Sequence, residues 1–175
     1  MKSHRSLTVL AAVLGLSLVA LAASFAVARP LSPELQAVRS ATAHFHSVTL
    51  AERAGYVRTL ECVHSPAGTM GIHLEHPGLM ADDSLNPQRP EILVYLPVDG
   101  TLQLVAVEYW KAAELDNAGI PTAADRPSLF GQPFQGPMPG HHPAMPTHYD
   151  LHVWLWADNP AGMFAQFNPS IQCPA

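Results

Sequence analysis

The chain has 175 residues, 14 acidic against 9 basic, with 10 His, 17 Pro and only two Cys. That is the length of about one ordinary domain preceded by a leader. The acidic balance offers no basic face for a nucleic acid, which excludes that partner class.

The N-terminus, MKSHRSLTVLAAVLGLSLVALAASFAVARP, places Lys2 and Arg5 before a nearly pure apolar run from Leu7 to Ala28. Ala26-Val27-Ala28 has the small-x-small form of a secretory cleavage site. The expectation is a signal peptide over 1–28 and a single exported domain over 29–175, secreted or periplasmic. The alternative is an uncleaved anchor, since the run is long enough to span a bilayer. Removing Lys2 and Arg5 leaves seven basic residues against fourteen acidic ones, a formal charge of −7.

A helix is predicted over 33–46. Ser32 suits its N-cap, Pro33 its first position and Glu34 its positive end, with an apolar stripe of Leu35, Val38, Thr42 and Phe45. A second short helix is predicted over 50–54, opened by a capping box from Thr49 and stopped by Gly55. Four strands follow, at 71–76, 90–97, 102–110 and 149–156, and the second and third form a hairpin around Asp99-Gly100. Nearly forty Pro- and Gly-rich residues precede the last strand. The fold class is α+β, an antiparallel sheet of about four strands covered by the N-terminal helices.

Cys62 and Cys173 lie in the exported part, where an even count favours a disulfide. Thiolate ligation of a metal is the alternative, without a C-x-x-C spacing to support it. There is no G-x-S-x-G elbow and no P-loop. ADDSLNPQ (81–88) resembles a calcium loop only loosely and reads better as a capped turn.

Strand alternation puts His73 on the face of Gly71 and Glu75. His152 falls with Trp154 and Trp156, and Glu108 with Leu104, Ala106 and Trp110. A carboxylate in such apolar company needs a cation, a metal or a donor network. Should the strands bring His73, Glu108 and His152 together, two imidazoles and one carboxylate would suit zinc, copper or non-haem iron. The alternative is that the same residues satisfy one another by hydrogen bonds. MPGHHPAMPTHYDLH (138–152) is a second candidate for metal capture, its thioethers suiting Cu(I) and its imidazoles Cu(II) or Zn(II). A rival reading is a metal-free binding module whose face of Tyr95, Trp110, Trp154 and Trp156 receives a small molecule or partner protein. The residues do not decide between metal handling and catalysis.

ATAHFHSVTLAERAGY, TMGIHLEHPGLM, RPEILVY, VAVEYW, LFGQPF and LHVWLWADNPAGMFAQFNPSIQC together resemble a family of exported bacterial proteins of uncharacterised function. The resemblance covers roughly Ala41 to Cys173 and is most specific at the C-terminal signature. It implies the cysteine pair, Cys62 and Cys173, and the two histidines of GIH and LHVWLW, His73 and His152. It carries no activity, and the 141–148 segment matches nothing in it.

Overall fold

A computed structural model describes residues 30–82, 84–122 and 126–173. The segment expected to be a leader lies outside them. Among the described residues no helix is long and apolar enough to cross a membrane.

Helix α1 (Pro33–Thr42) begins as its sequence dictates, with the Ser32 hydroxyl accepting from the Leu35 amide at 3.3 Å. It tightens into a 3-10 turn, Ala43–His46, rather than continuing as α-helix. Helix α2 (Val48–Arg53) starts two residues earlier than expected. Its N-cap is Ser47, and no side chain caps it, so the anticipated Thr49 capping box does not form. Gly55 does end it, at φ +106°, a conformation costly for any residue with a Cβ.

Among the described residues nine strands follow: β1 (Val57–Arg58), β2 (Val63–Ser65), β3 (Gly68–Glu75), β4 (Ile92–Val98), β5 (Thr101–Ala112), β6 (Ser128–Leu129), β7 (Gln132–Pro133), β8 (Gln135–Met138) and β9 (His148–Val153), with helix α3 (Pro77–Ala81) between β3 and β4. Seven form one antiparallel sheet in the order β1-β3-β4-β5-β9-β8, with β2 also paired to β3. The strands anticipated from patterning are β3, β4, β5 and β9. The count of four fell short because β1, β2 and β8 are short edge strands, and β6 and β7 make a separate hairpin inside the long connection.

Both faces of the sheet are covered. On one face Ile72, Leu74, Leu93, Tyr95, Val107, Tyr109, Leu151 and Val153 pack against Leu35, Val38, Phe45 and Ala51 of the helical segment. The tyrosines reach backbone carbonyls there: Tyr95 donates to Phe45 at 2.6 Å and Tyr109 to Pro87 at 2.5 Å. The opposite face has two apolar patches. Val94, Val105, Ala106 and Trp154 meet Ile171 of the C-terminal tail at one end, while Ile92 and Trp110 meet Met145 and Met80 at the other. Polar side chains sit on the same face.

A register shift corrects one expected facing. Val94 pairs with Ala106 but Tyr95 pairs with Leu104, so Val105 is an extra residue on β5. Leu104 therefore packs with the helix-side core, away from Glu108. The disulfide joins Cys62 to Cys173 across 111 residues. The tail it anchors runs along the start of β3, where Thr69 and Asn168 exchange both backbone hydrogen bonds at 3.0 and 2.9 Å.

Candidate metal centre

Alternation brings three polar series to the face opposite the helices: His73 and Glu75 from β3, Glu108 from β5, and His148, Asp150 and His152 from β9. Glu108 and His152 are direct partners in the β5–β9 ladder, and Glu75 stands across β4 from them through Ile92. The three residues singled out in the sequence converge. His73 Nε2 lies 3.1 Å and His152 Nε2 3.3 Å from the same Glu108 oxygen, Oε2. One ligand-type atom from each falls within 4.8 Å of the other two.

These groups are fully enclosed, with His73 at 1% and Glu108 and His152 at 0% exposure. They are close enough for charge attraction but off line for hydrogen bonding: both nitrogens of each ring and both Glu108 oxygens lack a hydrogen-bond partner. Such a cluster is costly unless a cation completes it, since an unpaired buried polar group costs about 1–3 kcal/mol and a charged one more. The spacing suits that completion. Zinc ligands at about 2.0–2.1 Å in a tetrahedron stand about 3.3 Å apart, close to both nitrogen–oxygen separations.

Burial disfavours the His152 cation and, with the neighbouring His73, pulls its pKa down to about 4. Burial alone would raise the Glu108 carboxyl, but the imidazoles of His152 and His73 outweigh it and hold it below the usual range.

The surroundings fix the rings. Trp154 stacks on His152 at 6.5 Å between centroids and 20° between planes, and its Nε1 donates to the Ala165 carbonyl at 2.7 Å. The Pro/Gly-rich segment before β9 folds over the same face, where His142 meets Glu75 at 3.1 Å. Its His141 senses the charge of Glu108 and stands edge-on to His148 at 5.0 Å. A cavity of about 380 Å³ beneath this segment is lined by Thr59, Glu75, Met80, Trp110, His142 and Met145.

The aromatic face envisaged for a metal-free module does not form. Tyr95 lies on the helix side with its hydroxyl bound to Phe45. Trp110 and Trp154 are on the polar face but in separate apolar patches. Trp156 follows the end of β9, turns away and meets His46 edge-on at 5.2 Å. The strand stops at Val153, so alternation no longer governs residue 156.

Two features of the site were not recognised in the sequence. Asp150 is fully buried with Oδ1 unpartnered. The signal was present, because His148, Asp150 and His152 alternate along HYDLH and must share a face. Glu91 is also buried and accepts the Trp110 amide at 3.1 Å. Burial raises its carboxyl to about 8. No family model, curated protein or solved structure matches the chain.

Proposed function

We propose that this is an exported metal-handling protein that holds a divalent transition ion, zinc or copper, through His73, Glu108 and His152. One observation carries the reading: two imidazoles and a carboxylate meet within 4.8 Å in a closed core and make no hydrogen bonds. Enclosure favours retention over turnover, because catalytic ions keep an accessible coordination position. Export is supported by the leader-like N-terminus and by the Cys62–Cys173 bridge, which oxidising compartments maintain. The resemblance of the C-terminal signature to exported bacterial proteins points the same way.

The test is elemental analysis of untagged protein before and after chelation and zinc readdition, with His73→Ala and His152→Ala compared. Each variant is expected to lose the ion of this centre while its circular dichroism stays native. Retention of all bound metal in both variants would exclude the assignment.

A further inference from the structure

We propose that the same face carries a second metal-ion site, formed by His141, His148 and Asp150, so that the protein holds two ions on one side of its sheet. The three donate one ligand-type atom each within 4.8 Å of the others. None of them belongs to the first centre, so the second site stands even if the first reading fails.

His148 is set up as a ligand by its own hydrogen bond. Its Nδ1 lies 3.0 Å from the Pro146 carbonyl, which can only accept, so Nδ1 carries the proton and Nε2 presents its lone pair. Trp110 stacks on the ring at 5.9 Å and 26°, fixing its plane. The lone pair faces the Asp150 carboxylate at 3.9 Å, too far for a hydrogen bond and within the span of two ligands on one ion. Both side chains are wholly buried, and His148 Nε2 and Asp150 Oδ1 have no hydrogen-bond partner. Asp150 Oδ2, the oxygen that faces His148, accepts from Gln166 Nε2 at 3.5 Å. An imidazole nitrogen and a carboxyl group 3.9 Å apart in a dry interior are a donor set that one cation can join.

His141 supplies the third ligand from the covering segment and is only partly buried, so this ion enters from the solvent side. Asp150 is two residues from His152 on one strand, about 7 Å along β9, and the two sets share no ligand. The chemistry selects a borderline divalent ion, zinc or copper(II), because the donors are imidazole and carboxylate.

The experiment uses the untagged, chelator-stripped protein loaded with zinc alone, with bound ions per chain counted after desalting. Wild type is expected to hold two. D150N and H141A are each expected to hold one, and H73A one. A drop of at least tenfold in affinity at the second site alone also supports the proposal. H141A changes only the covering segment, so it tests the site even if D150N folds poorly. One ion that is lost in D150N and H141A but kept in H73A supports the second site and removes the first. One ion lost only in H73A, two ions retained in both D150N and H141A, or none in wild type would overturn the second site.

Discussion

Glu108 shows what a single residue is asked to do. It is a wholly buried carboxylate whose nearest polar atoms are two imidazole nitrogens. In the metal-free protein, Glu108→Gln removes a carboxylate that His152 and His73 hold below the usual range, and it is expected to lower stability. With zinc at about a thousandfold excess over Kd, a working site adds about 4 kcal/mol to wild type. E108Q is expected to lose the share of its own centre, and an equal zinc-induced rise in thermal midpoint in both proteins would contradict this. Glu91 gives a separate pH signature. Its folded pKa is raised to about 8, mainly by burial, so the folded state holds a proton that the unfolded state has already released. Stability from Glu91 is full below its unfolded pKa and lost as pH rises towards 8, with a slope of up to about 1.4 kcal/mol per pH unit. Between pH 6.5 and 8, E91Q is expected to show a shallower fall in denaturation midpoint than wild type; identical slopes would rule it out.

At the scale of elements, the covering segment and the strands were legible to different degrees. Period-two alternation in GIHLEH, LQLVAVEYW and YDLHVWLW marked β3, β5 and β9, whereas the common face of His73, Glu108 and His152 follows from strand order and register, which the sequence did not fix. Alternation failed at Leu104, where the bulge at Val105 breaks it, and at Trp156, beyond the strand end. WADNPAGMF turns beyond the strand end: Asn159 Oδ1 accepts from the Ala161 amide, and Gly162 has φ +119°. Pairing between strands and the covering loop is non-local, so the approach of His141 and His142 to the sheet had no sequence signal. That loop depends on Gly140, where a Cβ would lie 1.7 Å from the Met145 carbonyl oxygen. Gly140→Ala must therefore displace the segment. Stopped-flow transfer of zinc to a chelator is expected to speed up at least tenfold, with sheet and disulfide intact. An unchanged release rate would show that the segment does not control the ions.

For the whole molecule, the N-terminal helices and the buried His/Glu/Asp groups are on opposite sides of one sheet, and the tail is tied to the N-terminal third by the disulfide. The pairing of Cys62 with Cys173 was readable because the chain has only two cysteines. The position of the tail across β3 was not, because it follows from the Thr69–Asn168 bridge. A loop of this length is worth roughly 4–5 kcal/mol in the chain-entropy model. The C62S/C173S pair is expected to lower unfolding free energy by about that amount, and a loss under about 1 kcal/mol would contradict it. The central claim is tested most directly by diffraction from zinc-loaded crystals at wavelengths either side of the zinc absorption edge. An anomalous peak is expected about 2.0–2.2 Å from His73 Nε2, His152 Nε2 and a Glu108 carboxylate oxygen. Well-ordered His73, Glu108 and His152 side chains with no peak between them, at saturating zinc, would contradict it.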